Sequence, residues 1–231
     1  ECIWQIAHAS QSQTKFLLSD CPVTTYNRAC GPRSHWCRGN NDPEIWRNGT
    51  HTVFPLSLDT VLILTNLSWV RNPYQDPMSM RPNPNPMRDA MFYFHDIQVA
   101  RQMNEEEVRQ TNFIIKSRAR KYIAAANEDW LFPERYVSKS DWPSYGHGYL
   151  LMPDPRSVTF HEEVLIGHHD GTATAFDAYG RRPWQRDFRR TGTQQMREWK
   201  TFHRFQGEFA RIFGPFRRGR TSEFGLLGKE K

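Results

Sequence analysis

The 231-residue sequence predicts an α+β fold, a mixed or antiparallel sheet packed against helices. Three observations predict it. Short apolar runs bounded by Pro, Gly and Asn recur through the first 65 residues, the pattern of strands. A stretch with helical period opens at Asn104, which is followed by three glutamates. Two more strand-like runs flank Asp170-Gly171, a strong two-residue turn signal.

Ile3-Trp-Gln-Ile6 and Lys15 to Ser19 read as strands separated by the polar turn Ser10 to Thr14, and Val23-Thr-Thr-Tyr26 continues extended after Pro22. Residues 27–50 read as a long polar loop rich in Gly, Pro and Asn. Thr60 to Thr65 is apolar at both parities, as a central strand covered on both faces would be. Five prolines between residues 72 and 86 exclude a helix and predict an irregular crossing. Phe92 to Val99 reads as extended. The helix from Asn104 is expected to run to about Ala126, with Val108, Asn112, Ile115, Ala119, Tyr122 and Ile123 on its inner face. Glu105, Glu106 and Glu107 in its first turn favour the positive end of the helix dipole.

A hairpin over 158–179 with a two-residue turn pairs Leu165 with Phe176 and Ile166 with Ala175. A last helix, 194–213, carries Trp199, Phe202, Phe205, Phe209 and Phe213 as its buried stripe and stops at Gly214-Pro215. These elements are expected to form a single domain over 1–215, followed by a mobile tail over 216–231.

Hydrophobic residues make up 38% of the chain and aromatics 13%, enough for a substantial core, which excludes wholesale disorder. The most apolar window, Val53 to Val70, is broken by Pro55, Ser57, Asp59, Asn66 and Ser68, so no membrane span is expected. Four cysteines, at 2, 21, 30 and 37, are too few for a disulfide scaffold. With no visible signal peptide, they point to a reducing, cytoplasmic setting. Opening on Glu1, the chain reads as a fragment or processed product. Asn48-Gly-Thr50 and Asn66-Leu-Ser68 match glycosylation triplets and, without a secretion signal, carry little weight.

The formal charge of +6 is unevenly spread. Residues 181–220 balance at +9, with twelve basic and three acidic side chains, whereas residues 1–180 balance at −3. Arg181, Arg182, Arg186, Arg189 and Arg190 interleave with Trp184 and Phe188, a mixture suited to phosphate contact and base stacking. The competing reading is a solvated face beside an aromatic core stripe.

Three further groups are candidates for chemistry. Ser19 and Asp20 in Ser-Asp-x-Pro, Ser57 in Phe54-Pro-Leu-Ser57, and Asn112 on the helix can meet at one sheet edge, where ligand groups often gather. They can equally serve as turn and backbone hydrogen-bonding groups. His161, Glu162, Glu163, His168, His169 and Asp170 include metal-capable types, but strand alternation splits them between faces and a solvated hairpin is expected. Cys21, Cys30, His35 and Cys37 lack the short spacing of a zinc knuckle; free thiols and no bound zinc are expected. No phosphate loop, nucleophile elbow or His-Glu-x2-His motif is present.

Trp4, Ser19-Asp20-x-Pro22-Val23, Phe54-Pro55-Leu56-Ser57 and Glu107-Val108-x3-Asn112-x6-Ala119-x2-Tyr122-Ile123 together resemble the C-terminal part of domain-of-unknown-function family 4238, over about residues 1–127. Cys21 and Leu58 depart from the family's usual Asn and second Pro. The resemblance implies no biochemical activity. It does imply a longer N-terminus with a helical half, which this chain lacks, so a site shared between halves would be incomplete here.

The leading functional expectation is a cytoplasmic accessory module that binds a polyanion, nucleic acid foremost, through the basic C-terminal quarter. One alternative is a hydrolase or nuclease centred on Asp20 and completed by the missing N-terminal half. The other is a purely structural interaction domain. No cofactor, membrane partner or oligomeric state is legible.

Overall fold

The computed structural model describes residues 2–31, 34, 42–76, 80–83, 97–146, 154–157, 159–188 and 191–214. The chain divides into two compact units, Glu1–Pro73 with Gln98–Leu151, and Tyr74–Ile97 with Met152–Lys231. The fold is α+β, with a mixed sheet in the first unit and a separate hairpin in the second.

The sheet of the first unit is built from β1 (Cys2–His8), β3 (Thr24–Asn27), β4 (Thr50–Pro55), β5 (Thr60–Asn66) and β6 (Gln98–Gln102). The short β2 (Leu18–Ser19) lies outside it. Spatial order is β3-β4-β5-β1-β6, antiparallel except that β6 runs parallel to β1. β5 is therefore central, as its apolar run requires, with Val61 and Ile63 fully buried on one face. Leu62 and Leu64, on the other, are half-buried, so the two faces are unequally covered. The strands lead through α1 (Leu67–Arg71), capped by the Asn66 side chain, and later to α2 (Glu105–Arg118).

α2 packs on the face that carries Ala7, Val53, Val61 and Ile63, placing Val108 and Ile115 in that core. Asn104 caps it with a reciprocal pair: its side chain accepts from the Glu107 N–H, and Glu107 accepts from the Asn104 N–H. Glu107 also holds Arg101, which is 2% exposed and donates to Gln5 Oε1 at 3.2 Å. A second cluster, Tyr26, Phe113, Ile114, Val137, Trp142 and Tyr145, joins α2 to the short helical turns that follow it. Gly146, at φ +84°, completes this cluster; a Cβ there would lie 2.7 Å from the Tyr26 ring.

α2 ends eight residues before the expected Ala126, at Arg118, and the reason is tertiary. Ala119 turns extended, and both Asp20 carboxylate oxygens capture the next amides, Arg120 N–H at 2.9 Å and Lys121 N–H at 2.7 Å. Ile123 and Ala124 then form β7 (Ile123–Ala124), which pairs with β2. Tyr122, expected on the helix's inner face, is 73% exposed.

In the second unit β8 (Val164–Gly167) and β9 (Ala173–Phe176) form a two-stranded sheet of their own rather than joining the main sheet. Their register is Val164 with Phe176 and Leu165 with Ala175, one residue away from the expected pairing. The loop has three residues, not two: His168 C=O accepts from Gly171 N–H, and Gly171 takes φ +79°, as a type I turn closed by a left-handed glycine demands. α3 (Gly192–Phe213) buries Phe202, Phe205 and Phe209, while Phe213 is half-buried. Arg81 and Arg156 lie over the Phe205 and Phe209 rings, each 5.0 Å from the ring centre.

Residues 77–79 and 84–86 of the Pro-rich crossing, and the whole 216–231 tail, lie outside the described residues. Residues 92–96 of the expected Phe92–Val99 strand also lie outside them.

Candidate functional site

The side chains of Ser19, Asp20, Ser57 and Asn112 each hydrogen-bond backbone groups. Asn112, wholly buried, accepts from Leu17 N–H at 3.0 Å and donates to Lys15 C=O at 2.8 Å. It thereby fastens the approach to β2 onto α2. Asp20 fastens the other end of the same segment to the chain beyond α2. Those amide hydrogen bonds, led by Arg120, hold its carboxyl below the ordinary aspartate range. Ser19 Oγ donates to Cys21 C=O at 3.0 Å and accepts from Cys21 N–H at 3.1 Å, closing the turn before Pro22. Ser57 sits in the exposed β4–β5 turn and accepts from Asp59 N–H at 3.2 Å. Asn112 and Asp20 thus act on two ends of one segment, in separate hydrogen-bond sets. Each Asp20 oxygen accepts one backbone amide, so the arrangement fixes the backbone of this exposed turn.

Sequence reasoning singled out none of a third anchor for the same region. Glu105 accepts from Ser12 Oγ at 2.5 Å, Gln13 N–H at 2.8 Å, Thr14 N–H at 3.1 Å and Thr14 Oγ1. Burial raises its pKa, but these hydrogen bonds and the Arg109 charge outweigh burial and bring it down to about 2. Its neighbours in space are ninety residues away in sequence, so only its place in the first helical turn was visible.

The metal-capable side chains do not converge. Thr159 and His161 pair with each other, and His168 Nε2 meets Thr174 Oγ1 at 2.9 Å on the hairpin. Among the described residues no group of three His, Cys, Asp or Glu side chains is placed to hold a metal ion. Cys2 and Cys21 are free thiols, and Cys30 is buried and approached by Arg47 at 3.4 Å. His35 and Cys37 lie outside the described residues.

The basic candidates of the second unit divide sharply. Arg181 is an interior ion-pair residue, its side chain 15% exposed. Its Nε donates to Asp177 at 2.6 Å, and a terminal nitrogen bridges both Glu198 oxygens at 3.0 Å. Arg182 lies over the Phe176 ring at 5.0 Å. Arg186 is exposed, beside Trp184 at 80% exposure. Arg189 and Arg190 lie outside the described residues.

The apolar stripe of α3 leaves its cations to the flanks and outer face, and they lie there. Arg197, Lys200, Arg204 and Arg211 are all exposed. The two acids of α3 are held by internal partners, Glu198 by Arg181 and Glu208 by Arg81 at 2.6 Å. Trp199, expected in the core stripe, is 46% exposed and meets the His203 ring edge-on at 4.2 Å, with Met196 exposed on the same face. At 100° per residue Trp199 falls on the flank of the Phe202–Phe209 stripe, which is the signal that would have found it. The outer face of α3 is thus cationic along one ridge and aromatic along the next.

Backbone-clamping signature residues on a mixed sheet with one covering helix define an α+β domain. The chain belongs to the family described as Protein of unknown function (DUF4238), a model of which matches residues 1–129. Asp20, Ser57 and Asn112 lie inside that match and α3 lies beyond it. No curated protein and no solved structure matches the chain. Among the described residues no helix is long and apolar enough to cross a membrane.

Proposed function

We propose that the chain is a cytoplasmic accessory module that binds polyanions, single-stranded nucleic acid foremost, through the outer face of α3. The observation that carries this reading is the exposure of Arg197, Lys200, Arg204 and Arg211 on a helix whose two acids are both held by internal arginines. Such a ridge makes a local positive field and releases counterions when phosphates dock. Trp199, His203 and Trp184 offer ring faces to unpaired bases, worth about 1–3 kcal/mol per stacked base. Free Cys2 and Cys21 accord with a reducing compartment.

Arg181 drops out of the binding surface in this reading, and Arg186 stays in it. Fluorescence anisotropy with labelled single-stranded DNA, RNA and duplex at low salt is the test. The expected dissociation constant is about 1–100 µM, in the range of non-specific binding, with single strands preferred over duplex. Replacing Arg197, Lys200 and Arg204 together by Glu should abolish binding. No binding at about 100 µM protein, or binding indifferent to that charge reversal, would leave α3 as a solvated face and return the protein to a structural interaction role.

A further inference from the structure

Between the outer side of α2 and the turns that follow it lies a cleft of about 290 Å³, close to the lower end of ordinary small-molecule sites. Its floor is Val137 and Tyr145, which are 8% and 2% exposed. Arg109 lines it, held by stacking on the Tyr136 ring at 4.1 Å and by pairing with Glu105 at 3.0 Å. Glu105 is shared with Ser12, Gln13 and Thr14 and meets the guanidinium at one terminal nitrogen. The Arg109 Nε–H is buried and has no acceptor among the described residues. A buried donor left unpaired is destabilising until an acceptor reaches it.

Two carboxylates complete the lining. Glu106 and Asp141 are exposed, and Glu106 accepts from the Gln110 amide at 3.0 Å. The cleft therefore offers one oriented cation and two rim anions. A dianion such as a phosphate ester would meet repulsion from both rim groups. A simple amine would leave the Arg109 Nε–H unpaired. A molecule bearing both a carboxylate and an ammonium satisfies every group.

We propose that this cleft binds a small zwitterion of the amino-acid class, its carboxylate on Arg109 and its ammonium between Glu106 and Asp141. The site is independent of the α3 surface.

The test is isothermal titration of the full chain with individual neutral L-amino acids, and with acetate and methylamine as the two half-ligands. At least one amino acid should bind with a dissociation constant below about 10 mM, and each half-ligand at least about tenfold more weakly. Arg109→Lys keeps a charge for Glu105 and removes the Nε–H; Asp141→Asn removes an exposed carboxylate with little structural role. Each should weaken binding about tenfold or more. Asp141→Asn should do so at unchanged melting temperature, so it decides the matter if Arg109→Lys lowers stability. No amino acid binding at about 10 mM, acetate binding as well as the amino acids, or full binding by Asp141→Asn would each overturn the proposal.

Discussion

Replacing Asn112 by Ala separates the two meanings that the family-like residues can have. In the folded protein Asn112 satisfies Leu17 N–H and Lys15 C=O, and both Asn112 and Leu17 are wholly buried. Two net hydrogen bonds contribute about 1 kcal/mol each, and an orphaned buried N–H adds about 1–3 kcal/mol. Water entering the vacated space offsets part of this, so the expected loss is about 2–4 kcal/mol. Asn112→Asp keeps an acceptor for Leu17 but sets a carboxylate against the Lys15 carbonyl, so it should be destabilised as well. The assay is urea unfolding followed by tryptophan fluorescence, with the slope checked to be unchanged. A loss below about 0.5 kcal/mol for Asn112→Ala, within the range of surface substitutions, would refute the clamp and restore a ligand-binding role for the residue.

Further outcomes follow from the same geometry. The Glu105 pKa of about 2 lies below its ordinary 4.5, so its contribution is complete above about pH 4.5 and fades as pH falls toward 2. Its side chain is 32% exposed, which reduces the full linkage value to about 1–2 kcal/mol. Glu105→Gln should therefore cost that much at pH 7, and the gap from the parent protein should close on acidification; a gap that widens would contradict the assignment. Gly146→Ala should lower stability by about 2–4 kcal/mol, since its Cβ must displace Tyr26 and φ is +84°; a neutral result in thermal unfolding would show that the turn can move. Arg181→Ala strands Asp177 and Glu198 and should cost about 3–5 kcal/mol, whereas Arg186→Ala should leave the melting temperature alone and weaken only nucleic-acid binding.

Where local chemistry decides structure, the sequence was legible. Asn104 announced α2 because a cap is a contract among four adjacent residues. The run Thr60 to Thr65 announced the central strand by its composition. What failed to show was set by distant partners. α2 stops at Arg118 because Asp20, a hundred residues earlier, takes the amides that would continue it. The hairpin register shifts because Gly171 adopts a left-handed turn that Asp170-Gly171 alone does not distinguish from a two-residue loop. Arg181 looked like part of a basic run, yet Glu198 of α3 claims it. The basic ridge on α3 was readable as flanking the stripe, but its freedom from acids depended on two tertiary ion pairs. The cleft at Arg109 left no trace in the sequence, since its walls come from separated segments.

If α3 engages phosphates through its four exposed cations, its binding must weaken with salt. Plotted as log affinity against log salt, single-stranded DNA should give a slope near −0.7 for each phosphate neutralised, about −3 if Arg197, Lys200, Arg204 and Arg211 all take part. Removing Arg197 and Arg204 by Ala should reduce that slope by about half. A slope near zero, or one unchanged by the double substitution, would contradict the account.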